Sequence, residues 1–397
     1  MNLSGIKKIN ISTLLISIYL LLIPFDFVPL LENVSISKVM AILPFFAILL
    51  NIDKIRLKMN NYIFLSIMYI ILHFTSLIYS VSKYDSLSLT FTISSNIILI
   101  YLLSCIRFTN SQIKTFVFSV VISSWLILLV SFISTIGLIT NGRLVITIFG
   151  YTQDPNYLVG FVLFAIIYYI NDYLNRKKKI SLIFSIVFSL FVIITGSRGG
   201  LISVIISILY AIFMYFKRNN SSKDLRKLLT IFSLVIFAIF VSTKLIPDEI
   251  LSRYSLDTIL SSRGTGRYEL WGIILNEFSE FSIINKLFGI GAGTTFTITN
   301  GFAAHNIWLD TLVGLGLLGV SVLFLYYFSL FIASMKNGLY ILNNVFVGYL
   351  IMGISLSLIS FKPMWNVIFL IMISLNSENI YSSIKKSRST NEVLLNE

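Results

Sequence analysis

"VIITGSRGGLISV", residues 192–204, sets one arginine between two long apolar runs. Residues 180–196 and 200–216 each have the length and apolarity of a membrane-spanning helix. Thr195 to Gly200 leave room only for a tight reversal. A cation at the bilayer centre costs ~2.5–3.5 kcal/mol on insertion scales, and less toward the interface. The stretch therefore reads as a helical hairpin with Arg198 held at the membrane rim. Its plain alternative is an anchor for lipid headgroups, but glycines on both sides suit a packed functional site.

The same pattern recurs along the chain. Apolar residues make up 56% of the 397, and charged residues only 12%. A soluble domain does not balance its surface this way. The spacing predicts about twelve spans, near 11–31, 36–51, 62–80, 87–106, 115–139, 156–171, 180–196, 200–216, 228–246, 305–333, 339–360 and 364–381. The expected fold class is thus an all-α polytopic membrane protein, a single integral membrane domain over 1–397. The first run follows Lys7 and Lys8 but has no small-residue cleavage site, so it reads as a retained helix rather than a signal peptide. One cysteine, Cys105, and two histidines, His73 and His305, give no basis for a disulfide framework or a Cys- or His-rich metal site.

Charge placement orients the chain. With the N-terminus cytoplasmic, about two-thirds of the thirty Lys and Arg fall on the inner side, which puts both termini in the cytoplasm. That bias accounts for much of the basic excess, and no nucleic-acid partner is needed to explain it. The outer exceptions include Arg143, Arg198, Arg253, Arg263 and Arg267. One outer connection, 247–304, is far longer than the rest and contains Trp271, Phe278 and Phe288. It is expected to fold against the membrane domain, because long loops in compact proteins are commonly functional.

Three further stretches carry candidate chemistry. In "NGRLVITIFGYTQDPNYLVG", 141–160, Asp154 precedes Pro155 as a helix cap would, and a ligand role is equally open to it; Arg143 is a loop cation. In "SSRGTGRYELWGIILNEF", 261–278, Tyr268, Trp271, Ile274, Leu275 and Phe278 recur at helical spacing, giving a short amphipathic helix from near Thr265. Arg263 and Arg267 then meet the free backbone N–H groups of its first turn, which makes a natural phosphate site. In "GFAAHNIWLDTLVGLGLLGV", 301–320, His305 stands where the long loop enters the next span and can titrate near neutral pH. His73 sits within an apolar run and reads as a packing residue.

"TGSRGG", "GRYELW", "GIGAGTT" and "HNIWLDTLVGLGLLG", with "DPNYL" before them, together resemble the bacterial O-antigen ligase and polymerase superfamily across about residues 140–325. The resemblance implies a metal-independent, cofactor-free inverting glycosyltransferase in the bacterial cytoplasmic membrane, acting on the outer leaflet. Its donor would be a glycan linked to undecaprenyl diphosphate. Arg198 and Arg267 would hold the diphosphate and His305 would activate the acceptor hydroxyl, with Arg263, Arg143 and Asp154 as further contacts. A flippase and a chain-length regulator are partners such an enzyme implies. The residues leave polymerase and ligase both open. A lipid-linked oligosaccharide transporter is a different class with the same ligand, but transporters tend to place ionisable residues inside the spans.

Overall fold

The computed structural model describes residues 10–31, 34–134, 139–140, 142–148, 151–219, 246–255, 257–258 and 266–377. The larger helices are α1 (Ile11–Leu22), α2 (Ile36–Met40), α3 (Ile42–Leu49), α4 (Asn61–Tyr79), α5 (Lys83–Ser104), α6 (Asn110–Ser134), α7 (Pro155–Arg176), α8 (Lys179–Ile194) and α9 (Arg198–Asn219). After them come α10 (Asp248–Leu251), α11 (Arg267–Glu280), α12 (Ile283–Phe288), α13 (Thr295–Ile298), α14 (Ile307–Lys336), α15 (Tyr340–Met352) and α16 (Lys362–Leu375). Six of these, α4, α5, α6, α7, α9 and α14, are long and apolar enough to cross a membrane. Five shorter apolar helical segments stand at the expected spans 11–31, 36–51, 180–196, 339–360 and 364–381. The span at 228–246 lies, but for its last residue, outside the described residues.

The short segments are short for backbone reasons that hydropathy does not register. Pro24 brings no N–H, so α1 gives way to a 3-10 turn, Ile23–Phe25. The chain then enters a small hairpin, β1 (Pro29–Leu31) with β2 (Val34–Ser35). The apolar run 339–360 stops being helical at Met352. There the Gly353 carbonyl turns to accept the N–H of Ile307 at 2.9 Å, at the start of α14. Two more hairpins, β3 (Ile139–Thr140) with β4 (Arg143–Leu144) and β5 (Ile146–Ile148) with β6 (Tyr151–Gln153), join α6 to α7.

The bundle centres on α7, 78% of whose span is buried against 33–50% for the other five long helices. Helix α16 is buried along its length from Lys362 to Ser374. Its one cation is satisfied there, the Lys362 Nζ donating to Asn96 Oδ1 at 2.9 Å, as burial of an ammonium demands. The remaining helices expose apolar faces, as expected of surfaces meeting lipid.

Helix α14 contains a break. Gly316 has φ +66° and ψ −165°, so the carbonyls of Val313 and Gly314 cannot be served by the N–H groups four residues on. The N–H groups of Ile290 and Gly291 serve them instead, at 2.9 and 3.0 Å. The two glycine-rich motifs thus fit together backbone to backbone. A Cβ at Gly316 would lie 2.4 Å from the Leu287 carbonyl, and one at Gly289 equally close to Gly314.

Of the long segment, the described residues from 266 onward pack on α14. Its amphipathic helix begins at Arg267, and the expected stripe divides. Ile274 is fully buried with Ile290, Ala304 and Val313, and Leu270 and Phe281 pack on them. Tyr268 and Leu275 are exposed. Residues four apart share a face, so 270 and 274 turn inward while 268 and 275 turn away.

Candidate active site

Several loops and the starts of α7, α9, α11 and α14 converge at one end of the bundle. At the α7 start, Asp154 caps the helix, its Oδ1 accepting from the Asn156 backbone N–H and from Asn156 Nδ2, both at 2.7 Å. Asn156 Oδ1 accepts from Ser197 Oγ at 2.7 Å, and Ser197 Oγ accepts from the Gly200 N–H at 3.1 Å. These bonds lock the start of α7 to the start of α9, whose first residue is Arg198. Gly199 and Gly200 admit protein closely: a Cβ at Gly199 would meet Ser355, and one at Gly200 would meet Ser197 and Val159. Their smallness lets helices approach.

The β3–β4 turn reaches the same place. Gly142 donates its N–H to Glu249 Oε1 at 2.8 Å. Gly196 has φ +67°, and a Cβ there would lie 2.5 Å from the Gly142 carbonyl. Only glycine allows this contact. Its own carbonyl accepts from Arg253 Nε at 3.2 Å, and the Tyr254 hydroxyl donates to the Ile193 carbonyl at 2.9 Å.

His305 is fixed from both sides. Trp271 Nε1 donates to the Ala304 carbonyl at 2.8 Å, and Asn306 caps α14 with bonds from the N–H groups of Trp308 and Leu309. His305 itself has φ +49°, a left-handed backbone that Asn, Asp and His tolerate best. Its Nδ1 is buried without a hydrogen-bond partner.

These groups surround a cavity of about 480 Å3 lined by Arg143, Asp154, Arg267, Glu269, Asn300 and His305 among others. Burial lowers the Arg267 pKa, and the positive charges of Arg143 and Arg198 lower it further while Asp154 opposes them. Arg253 is lowered in the same way by burial and by Arg143 and Arg198. Burial also lowers His305, aided by Arg267 and Arg143 and opposed by Asp154. Its imidazole is therefore neutral at neutral pH. Arg198 and Arg267 are each the first residue of a helix, where the backbone dipole already favours anions. Two guanidinium groups and a neutral imidazole share this lining with Asp154 and Glu269, so the cavity can offer an anion contact and a proton acceptor together.

Of the residues singled out from sequence, Arg143, Asp154, Arg267 and His305 line this cavity. Arg198, partly exposed, is near enough to act on Arg267 and Arg253 but is not among the lining side chains. Arg263 lies outside the described residues. Two participants escaped the sequence reading. Arg253 was visible only as one more outer cation. Asn156 carried no signal beyond its place after Pro155.

Fold and site together define a polytopic helical membrane protein with an arginine- and histidine-bearing cavity at one end of its bundle. Residues 182–324, a little over a third of the chain, match the family described as O-antigen ligase. Comparison with curated proteins finds no match. Among solved structures, a chain from the work titled "Structural coordination of polymerization and crosslinking by a peptidoglycan synthase complex" is similar at 13% identity and a TM-score of 0.45. The likeness covers 79% of this chain and 96% of that one.

Proposed function

We propose that this protein polymerises undecaprenyl-diphosphate-linked oligosaccharide repeat units into a surface polysaccharide at the outer leaflet of the cytoplasmic membrane. The observation that carries the reading is the meeting of Arg143 and Arg267 with a neutral His305 in one cavity. In the reaction, the bond between the anomeric carbon and the phosphate oxygen breaks as the acceptor hydroxyl oxygen bonds that carbon from the opposite face. The configuration inverts. The acceptor proton passes to the His305 imidazole, and undecaprenyl diphosphate departs with the electron pair.

Each part has a physical reason. Negative charge grows on the diphosphate as it leaves, and guanidinium forks match its oxygens. Removing one such contact costs about 2.7–4 kcal/mol in comparable sites. Asp154 tempers the field of the arginines at His305 and keeps Asn156 in place. The polyprenyl tail needs an apolar surface, which explains why the chemistry is housed in a membrane protein.

The test incubates purified protein with lipid-linked repeat units and follows both chain length and release of undecaprenyl diphosphate. The expected result is a ladder of lengthening glycans with stoichiometric release of the lipid diphosphate. The Arg267→Ala variant should be slowed by roughly 100-fold or more. A single transfer to another acceptor would make the protein a ligase. Movement of the lipid-linked unit across proteoliposomes without bond formation would make it a transporter and overturn the reading.

A further inference from the structure

A second cavity, of about 390 Å3, adjoins the arginine-lined one, and Ala303 lines both. It lies among α4, α5, α13, the first turns of α14 and the non-helical segment 353–361. Its lining differs in kind. Among the described residues no Lys or Arg contributes to it, whereas Asp85 and Asp310 do, with Tyr84 and Phe296 exposed at the mouth.

Its walls also hold polar groups that the protein leaves unserved. His73 is 1% exposed, and neither ring nitrogen has a hydrogen-bond partner. Thr295, 2% exposed, and Ser357 have hydroxyls in the same condition. Both lie close enough to the Asp310 carboxylate to act on its charge, without hydrogen-bonding geometry. A buried polar group left unpaired costs about 1–3 kcal/mol, so several facing one space ask for a ligand that both donates and accepts. A lipid tail would leave them all unpaired. A diphosphate would meet two carboxylates and no cation. A neutral sugar ring supplies hydroxyls for the polar wall and C–H faces for the aromatic mouth. Non-helical backbone within a helical membrane bundle, as in 353–361, is itself tolerated where it lines a polar cavity.

We propose that this cavity binds the terminal sugar of the acceptor glycan and presents its hydroxyl past Ala303 to His305. The assignment rests on the glycosyltransferase reading. It makes Asp310, His73, Thr295 and Ser357 acceptor-binding residues, and it separates the donor's diphosphate, beside Arg143 and Arg267, from the uncharged sugar end of the acceptor glycan, in the cavity without Lys or Arg.

The experiment measures equilibrium binding of two probes to the full-length protein in nanodiscs. One probe is the oligosaccharide freed from the lipid-linked repeat unit by mild acid; the other is undecaprenyl diphosphate. Ser88→Trp, at an exposed position on the cavity mouth, and Asp310→Asn should each weaken oligosaccharide binding by roughly tenfold or more. Both should leave undecaprenyl diphosphate binding within about twofold. Arg267→Ala should do the reverse. Should Asp310→Asn fail to insert, Ser88→Trp alone decides. Oligosaccharide binding unchanged by Ser88→Trp, or no binding by the wild type, means a cavity that holds only water and overturns the proposal. The donor reading fails separately, if undecaprenyl diphosphate does not bind or ignores Arg267→Ala.

Discussion

His305 is held uncharged first by burial and then by Arg267 and Arg143, the arginines proposed to attract a diphosphate. The two functions are coupled through a few ångströms of electrostatics. Elongation should fall as pH drops through the His305 pKa, which lies below the ordinary imidazole value of about 6.5. Protonation removes the base, so the loss is on the acid side. Asp154 is the group that opposes the arginines. Asp154→Asn removes a negative charge, disfavours the imidazolium and should move the acid limb to still lower pH. Asn caps helices about as well as Asp, so the helix start survives the change. A pH–rate profile of the two proteins checks this, and an acid limb shifted upward would contradict the electrostatic account. At this scale the sequence singled out isolated arginines and a histidine in the connections between apolar runs. It could not show that Arg253 joins them, because that follows from how Gly142, Gly196 and Arg253 pack together.

Among the elements, the broken α14 and the 289–293 turn form a backbone joint just below His305. Two glycines make it possible, and neither position admits a side chain. Gly316→Ala places a Cβ 2.4 Å from the Leu287 carbonyl at a positive φ. It should destabilise by about 1–3 kcal/mol or more, read as a lowered unfolding midpoint in detergent. Gly272→Ala is the control. It lies inside α11 with nothing within 4 Å of a new Cβ, so it should be neutral or stabilising by ~0.4–1 kcal/mol. Equal losses in both would sink the joint. Hydropathy located nearly every helix but not the ends of α1 and α15, which are set by Pro24 and by the Gly353 carbonyl turning to α14. It also assigned His73 to packing. The ring does pack edge-on against Tyr69, 4.7 Å away, yet it faces a cavity assembled from helices distant in sequence, which no local pattern encodes.

For the whole molecule, the account requires the cavities to open on the side opposite the basic loops. Cys105 is the single cysteine and is buried, so introduced cysteines report cleanly. In intact cells a membrane-impermeant thiol reagent should label Thr297→Cys, at the cavity end, and spare Lys336→Cys, at the far end of α14. The reverse pattern would invert the topology read from charge placement. The expected orientation rests on the clustering of Lys and Arg on alternate connections. Division of the cavity end into an arginine-lined half and a carboxylate-lined half was not, since Arg267, His305 and Asp310 are read as three motifs until the fold joins them. The most direct test of the central claim is a single-turnover measurement on His305→Gln, with donor binding followed separately. The account predicts undecaprenyl diphosphate affinity within about twofold of wild type and an elongation rate lower by roughly 100- to 10,000-fold. Elongation at close to the wild-type rate would contradict it.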